Sequence, residues 1–453
     1  MSAPSSSNQP IYQRPVELLQ NLIRFDTTNP PGNEAECVSY VNRLLSEAGF
    51  TTTLLAKDPN RPNLITRLKG QGSAPPLLLY GHVDVVTTLG QAWTHPPFEG
   101  VIMDDCIWGR GALDMKGGVA MMLAAFLRAK AEGLSLSGDV VLAILSDEEG
   151  GSDYGAKYLV ENHPEQFKGI RYALGEFGGS RFYFGRKKLY PIMVAEKQIC
   201  WMQAHVRGPG GHGAFPMRGG AMAKLARLLQ QLEQRRLPVH ITPPARLMIE
   251  SMASTLSFPS NLVLRQLLNP RLTNLVLRLL GTKGQGIEPL FHNTVNTTIV
   301  RGGDKINVIP SEIALELDGR LLPGFKPDDM ITELRHLIGD DVELEVARHD
   351  PGPAEPDMGF FDTLAGILRE ADPGAVPIPM FMPGVTDGRF FSQLGIQTYG
   401  FTPMNLPPDL NLLQKAHAAD ERIPVEALDF GANAIYKALQ HYKNSSPLTG
   451  EVR

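Results

Sequence analysis

Two pairs of chemically reactive side chains follow apolar runs in this sequence. His82 and Asp84 end the run LLLYGHVDVV, residues 77–86, and Glu148 and Glu149 end the run in LAILSDEEGG, residues 142–151. Side chains two apart in a strand point to one side, so His82 and Asp84 share a face where the strand stops. Neighbouring carboxylates repel each other, so Glu148 and Glu149 either lie apart in solvent or divide two roles, metal ligand and proton carrier.

Three further acid or imidazole groups lie in comparable places: Asp114 in GRGALDMKGG, Glu176 in YALGEFGG and His417 in KAHAADERI. Each alone is more often a helix cap or a hydrogen-bonded surface group than a ligand. Nitrogen and oxygen donors without a thiolate suit zinc, with cobalt or manganese as substitutes. Five ligands exceed what one open catalytic zinc needs, so the set favours two ions that share a bridging carboxylate. The candidate metal ligands are His82, Asp114, Glu149, Glu176 and His417.

The elements that must position these residues alternate between strands and helices from residue 15 to about 185. This pattern predicts an α/β fold with a mostly parallel sheet flanked by helices, whose sites lie at the carboxyl ends of the strands. After Glu196 the pattern changes to strands followed by helices, which predicts an inserted α+β domain. We expect a catalytic domain in two parts, residues 1–196 and 351–443, an insert at 197–350, and a tail at 444–453.

Composition excludes several function classes. The chain has 453 residues and a net charge of -5, which argues against nucleic acid and against an anionic membrane surface as partners. Its three cysteines show no CxxC spacing, so neither a thiolate zinc site nor a disulfide framework is expected. We interpret MSAPSSSNQP as a disordered start rather than a secretory signal, and NSSPLTGEVR as a polar tail. With no apolar run long enough to span a bilayer, we expect no transmembrane segment and a cytoplasmic location.

The motifs TTNPPG, GHVD, GRGALDMKGG, DEEGG, GGHGAFP and TDGRFF in combination resemble the aminoacylase/carboxypeptidase family of co-catalytic zinc hydrolases. The resemblance implies a zinc-exopeptidase-like fold whose insert is a lid and dimerisation domain. It implies that His82 and Glu176 bind one metal and that Glu149 and His417 bind the other. Asp114 would bridge the two ions, and Asp84 would orient His82.

The resemblance also implies a mechanism. A metal-bound hydroxide would attack an amide carbonyl, with Glu148 as general base and then as proton donor to the leaving amine. His212, in GGHGAFP, would stabilise the oxyanion in the active site of a partner subunit, which implies a homodimer. Alternatively, His212 is a solvated loop residue. Four residues are candidates for contacts to a small-molecule substrate: Arg389 and Arg320, which would grip its carboxylate unless they form structural ion pairs, and Asn296 and Asn307.

The type of substrate follows from Glu176 in this resemblance, because the family's deacylases and carboxypeptidases have Glu where its aminopeptidases have Asp. We therefore expect hydrolysis of an N-acyl amino acid or of the C-terminal peptide bond of a short peptide. Residues 256–281 form a leucine-rich stripe, which is either core or dimer contact, or an apolar wall for a long acyl group. A catalytically inactive binding protein on the same fold is the alternative function, although the general base and every ligand are present. A serine hydrolase is not supported, since the chain has no GxSxG motif.

Overall fold

A computed structural model describes residues 9–185 and 187–443 of the chain. The predicted polar tail and all but the last two residues of the predicted disordered start lie outside the described residues. The helices, numbered in chain order, are α1 Pro15–Ile23, α2 Ala35–Glu47, α3 Lys116–Ala131, α4 Ala156–Asn162, α5 Ala221–Gln234, α6 Pro243–Ser254, α7 Ser260–Arg265, α8 Thr273–Leu279, α9 Thr282–Ile287, α10 Pro327–Ile338, α11 Phe361–Ala371, α12 Gly388–Gln393, α13 Leu412–Lys415 and α14 Val425–His441.

The strands, numbered in the same way, are β1 Thr52–Leu55, β2 Asn63–Leu68, β3 Leu77–His82, β4 Val101–Met103, β5 Cys106–Trp108, β6 Val140–Leu145, β7 Tyr172–Gly175, β8 Phe182–Phe184, β9 Lys187–Glu196, β10 Gln198–Arg207, β11 Gly211–His212, β12 Thr294–Arg301, β13 Val308–Ile309, β14 Glu312–Leu321, β15 Val342–Asp350, β16 Ala375–Met382, β17 Gln397–Gly400 and β18 Arg422–Pro424. The described residues divide into two compact units, residues 9–185, 187–194, 357–380 and 386–443, and residues 195–356 and 381–385. Within the described ranges no helix combines the length and apolarity needed to cross a membrane.

The first unit is built on a large sheet with strand order β1-β2-β6-β3-β7-β17-β9-β16. The four central strands β6, β3, β7 and β17 are parallel, and β1, β2 and β9 pair antiparallel at its two sides. Every residue of β3 and β6 is buried, because helices cover both faces of a parallel sheet. The predicted α/β class, a mostly parallel sheet flanked by helices, is confirmed.

A small antiparallel sheet in the same unit, with order β18-β5-β4, joins two distant parts of the chain. Strand β5 ends six residues before Asp114, and β18 begins five residues after His417. Because Arg422 pairs with Trp108 across this sheet, the loops that carry Asp114 and His417 are held side by side.

The second unit contains a four-stranded antiparallel sheet with order β12-β14-β10-β15. Burial mostly alternates along β14, as expected for a sheet with one face on a core. Helices α5 and α10 pack on that face through Leu228, Met330 and Leu334. A separate apolar cluster joins α6, α7 and α8 through residues that include Ile249, Leu264 and Val276.

Candidate metal centre

Three of the predicted ligands lie at the carboxyl ends of neighbouring parallel strands. His82 is the last residue of β3, Glu176 follows β7 directly, and Glu149 lies in the turn after β6. Since β3 lies between β6 and β7 in the sheet, the three side chains meet at one edge. Asp114 and His417 reach the same place from the two loops joined through β5 and β18.

The first group of ligands is fully buried. His82 Nε2 lies 3.4 Å from Asp114 Oδ1 and 3.5 Å from Glu176 Oε2. The exposed fraction of each of these residues is 6% or less. One imidazole nitrogen and two carboxylate oxygens thus surround a single point, close enough to one another to hold one metal ion.

The second group shares Asp114 with the first. His417 Nε2 lies 3.1 Å from Asp114 Oδ2 and 3.2 Å from Glu149 Oε1. The two carboxylate oxygens of Asp114 therefore face different groups, which is the arrangement of a carboxylate that bridges two ions. The His417 side chain is 51% exposed, so the second group opens to solvent.

Three buried ligand atoms of these groups form no hydrogen bond within the described chain: His82 Nε2, Glu149 Oε1 and Glu176 Oε2. A buried polar atom without a partner is rare and costly in a folded protein. Here the orphaned atoms are those that face the two group centres, and each is a nitrogen or carboxylate oxygen of the kind that binds zinc. The residues therefore fit two divalent ions.

Electrostatics also favours cations at this position. Burial alone would lower the pKa of His82, but the carboxylates of Asp114, Asp84 and Glu176 raise it well above its usual range. Burial raises the pKa of Glu176 to about 8. The neighbouring carboxylates of Asp114 and Glu149 raise the pKa of His417 to about 10. Each shift shows that the centre favours added positive charge, which bound metal ions would supply.

Asp84 is fully buried and organises the turn that carries both glutamates. Its carboxylate accepts hydrogen bonds from Asn29 Nδ2 at 2.8 Å and from the backbone amides of Glu148 and Glu149 at 3.1 and 3.0 Å. Burial opposes its ionisation, but His82 and these donors hold its pKa below the usual range.

The ring of His82 is oriented by the main chain more closely than by the Asp84 carboxylate. His82 Nδ1 lies 3.0 Å from the Asp84 carbonyl oxygen and 3.4 Å from its carboxylate. Because a carbonyl oxygen only accepts, Nδ1 must donate. Nε2 of the neutral ring is then the lone-pair nitrogen that faces the ligand group.

Glu148 lies beside this centre without belonging to either ligand group. Its carboxyl is 3.9 Å from Arg389 Nη1. Burial and the charge of Glu176 raise its pKa well above the usual range. A raised pKa makes the Glu148 carboxylate a stronger proton acceptor, which suits it to proton transfer.

A buried ion pair that the sequence interpretation missed supports both ligand loops. Glu421 Oε1 accepts the backbone amides of Leu113 and Asp114, at 2.7 and 3.1 Å. Its other oxygen accepts Arg110 Nη1 at 2.7 Å, and Arg110 Nη2 donates to the carbonyl of His417 at 3.2 Å. Arg110 falls inside the motif GRGALDMKGG, Glu421 inside KAHAADERI and Asn29 inside TTNPPG. Their positions within these motifs are the sequence signal that could have identified them as supporting residues.

The remaining predicted site residues are Arg389, beside Glu148, and four residues of the second unit. Arg389 is 3% exposed in the first unit, where it donates to the Thr386 carbonyl at 2.6 Å and to Ser152 Oγ at 3.3 Å. The other four belong to the second unit. There His212 is exposed on β11, Arg320 pairs with Asp318 at 2.7 Å, Asn296 is exposed on β12, and the exposed Asn307 accepts the Gly213 amide through its main chain at 2.8 Å.

Comparison with known families gives a direct match. The model of Peptidase family M20/M25/M40 matches residues 78–441. The chain belongs to this family. Membership confirms the family and the enzyme class predicted from the motifs, a metal-dependent hydrolase of amide bonds.

Curated relatives agree with this result. The chain is 31% identical over 382 residues to a probable carboxypeptidase S-like 2 of Dictyostelium discoideum, covering 80% of this chain and 71% of the relative. It is 27% identical over 389 residues to an N-fatty-acyl-amino acid synthase/hydrolase of Homo sapiens, covering 82% and 75%. Human aminoacylase-1 is 25% identical over 430 residues, covering 92% and 93%.

Solved structures show the same fold. An M20 family metallo-carboxypeptidase of Sulfolobus solfataricus matches with a TM-score of 0.66 at 18% identity, covering 94% of this chain and 98% of the other. The YXEP protein of Bacillus subtilis, described as a dinuclear metal binding peptidase, matches with a TM-score of 0.60 at 13% identity, covering 95% and 97%.

Proposed function

We propose that this protein is a dinuclear metal hydrolase that cleaves the amide bond of an N-acyl amino acid or the C-terminal peptide bond of a short peptide. One observation carries the proposal: Asp114 is shared by two ligand groups, each with its own imidazole, beside the buried carboxyl of Glu148. Zinc is the proposed ion, with cobalt or manganese as substitutes, since all donors are nitrogen or oxygen.

The residues of the chain then have distinct tasks. Two bound ions would supply acidification of a water molecule and polarisation of the amide carbonyl. Glu148 accepts a proton on its carboxylate during attack and passes it to the leaving amine nitrogen, a transfer typically worth about 10²–10⁴ in rate. Asp84 fixes the turn of Glu148, while Arg110 and Glu421 hold the loops of Asp114 and His417.

The substrate-binding roles are supported unequally. Arg389 lies next to Glu148, which supports a role close to the reacting atoms, including the grip on a substrate carboxylate. The pairing of Arg320 with Asp318 supports the structural ion pair instead. Asn296 and Asn307 remain candidates for polar contacts because both are exposed.

We also propose a cytoplasmic homodimer in which His212 of one subunit stabilises the oxyanion in the site of the other. The exposure of His212 in its own unit is compatible with that role. The three cysteines are unpaired within the described residues, which supports a reducing compartment.

The leucine-rich stripe at residues 256–281 is the candidate determinant of which acyl group the substrate carries. Leu264, Leu267, Val276 and Leu277 are buried in a core cluster, which supports the core interpretation for that half of the stripe. The apolar-wall hypothesis applies only to its exposed side chains. If hydrolysis of N-acetyl, N-decanoyl and N-aromatic-acyl amino acids proceeds with the same kcat/KM, the wall has no role in substrate selection.

The decisive experiment combines metal content with turnover. The purified chain is stripped with a chelator, reloaded with Zn²⁺ or Co²⁺, and assayed on N-acyl amino acids and dipeptides. We expect two metal equivalents per chain and activity that returns with the metal. Glu148→Gln should keep both metals and lose turnover, whereas the neighbouring Glu149→Gln should lose metal.

Two results would contradict the proposal. Full turnover by a metal-replete Glu148→Gln variant would remove its proton-transfer step. A wild-type chain that binds two metals and the test compounds but cleaves none of them would support the binding-protein alternative.

A further inference from the structure

Helices α7 and α8 of the second unit are apolar on their exposed sides as well as their packed sides. Phe258 and Leu279 are 77% and 75% exposed, and Leu262 and Leu275 are 49% and 46% exposed. Leu275 and Leu279 are four residues apart in α8 and lie on one helical face, whereas Phe258 lies in the turn just before α7. Apolar side chains exposed together in this way mark an interaction surface.

Three arginines flank these apolar side chains. Arg265 lies three residues after Leu262 in α7 and Arg278 three residues after Leu275 in α8, which places each pair on one helical face, and Arg271 lies in the turn before α8. All three are exposed, and none forms an ion pair with any residue that the structure describes. We call these exposed side chains, Phe258, Leu262, Leu275 and Leu279 with Arg265, Arg271 and Arg278, the arginine–leucine surface.

The charge of this segment departs from that of the chain. Acidic residues make up 48 of 453 positions, yet residues 251–287 contain none, while they contain Arg265, Arg271, Arg278 and Lys283. The net charge of -5 would repel an anionic surface at long range. At physiological salt, however, charges beyond about 8 Å are largely screened, so the local charges decide a contact.

From these observations we propose that the arginine–leucine surface docks on anionic lipid bilayers, as a peripheral contact and not as a membrane span. Exposed aromatic and aliphatic side chains beside cations, without acids, are the combination that places an amphipathic helix at a lipid interface. A second copy of the chain fits this surface poorly. A two-fold contact would set arginine against arginine with no acid in the segment to compensate.

The test is sedimentation of the full, metal-loaded chain with vesicles. One set is phosphatidylcholine alone, and the other is an equal mixture of phosphatidylcholine and phosphatidylglycerol. We expect binding to the mixed vesicles and release at high salt. Arg271→Gln and Arg278→Gln should each weaken partitioning about fivefold, and Leu279→Ser should weaken it about tenfold.

Matched controls lie in the first unit. Arg43 is exposed without an ion pair in the described structure, and Leu89 is 85% exposed. Arg43→Gln and Leu89→Ser should leave partitioning unchanged. Equal turnover of an N-acyl amino acid by all variants would show that they are folded.

Three outcomes would overturn the proposal. The first is no sedimentation of the wild-type chain with the mixed vesicles. The second is equal partitioning of Arg271→Gln, Leu279→Ser and the controls. The third is a wild-type dimer that Leu279→Ser converts to a monomer without any vesicle binding, which would assign the surface to a second copy.

Discussion

Replacing Asp84 by Asn tests whether this carboxylate acts mainly on the catalytic turn or on the metal ligand. One carboxylate oxygen accepts the Glu148 amide, and the other accepts both the Glu149 amide and Asn29. An asparagine offers a single acceptor oxygen. In its better orientation it keeps Glu149 and Asn29 as donors and turns its amide nitrogen towards the Glu148 amide, which then lacks an acceptor.

The size of the effect follows from the lost bond. A hydrogen bond to a charged group contributes about 1.5–3 kcal/mol, and we expect the free energy of unfolding to fall by that amount. If the same free energy is lost from the positioning of Glu148 in the transition state, kcat should fall by roughly tenfold to a hundredfold. His82 keeps its closer hydrogen bond to the Asp84 carbonyl, so metal affinity should fall less than tenfold.

The assay compares kcat at saturating metal, metal affinity by chelator competition, and unfolding in denaturant. Asp139→Asn is the matched control, because Asp139 accepts the Gly70 amide at 2.9 Å at the opposite end of the β6 strand. It should lower stability without changing kcat or metal affinity. An Asp84→Asn variant that loses metal more than a hundredfold but turns over normally when saturated would refute this reasoning.

Three further predictions concern a metal ligand, the proposed dimer and the ion pair that supports the ligand loops. In chelator-treated protein the pKa of His417 is about 10, above its usual value of 6.5. The stabilising contribution of His417 is therefore complete below pH 6.5 and is lost as the pH rises through 10. Denaturant unfolding at pH 6 and 9 should show this loss of stability, and His417→Ala should reduce it. Mixing inactive Glu148→Gln and His212→Ala chains should restore about one quarter of wild-type activity if His212 acts across a two-fold dimer, and none if it acts in its own subunit. Arg110→Met should lower the free energy of unfolding by about 3–5 kcal/mol, because it leaves the Glu421 carboxylate buried without its guanidinium partner. Metal analysis of this variant should show a reduced metal content. Normal stability with full metal occupancy would contradict the supporting role of the Arg110–Glu421 pair.

The sequence was most informative where a local pattern determines the structure. Uniformly apolar runs predicted the buried parallel strands, and the polar residues that follow them predicted which edge carries His82, Glu149 and Glu176. These inferences need only the geometry of a strand and the rule for sites in parallel sheets. The order β6-β3-β7, which places His82 between the two glutamates, is a long-range pairing that no local pattern encodes.

Supporting contacts were beyond sequence reasoning for the same reason. Arg110 and Glu421 are separated by 311 positions, and nothing in either neighbourhood states that they meet. Backbone conformation at the site is equally hidden, since His417 and Asp147 have φ angles of 65° and 67°, which side chains other than glycine rarely adopt. Such conformations persist because surrounding contacts, such as the Arg110 bond to the His417 carbonyl, hold them.

Six carboxylates of the ligand groups and of the turns and loops that support them fall into two classes according to their partners. Asp147 lies 2.8 Å from a guanidinium nitrogen of Arg61, and Glu421 is matched by Arg110 in the same way. The second class has no Lys or Arg at ion-pair distance within the described residues, and its nearest basic groups are the two imidazoles. Its members are Asp84, Asp114, Glu149 and Glu176.

Four carboxylates without guanidinium partners are balanced by two divalent ions if both imidazoles are neutral. Neutral rings are also what coordination through Nε2 requires, and the Nδ1 bond of His82 to a carbonyl leaves Nε2 as the lone-pair nitrogen of its neutral ring. Without metal, the centre satisfies its charge by taking up protons, which is the direction of the raised pKa values of His82, Glu176 and His417. Metal loading should therefore release protons and raise the melting temperature together, because the same buried charge imbalance drives both.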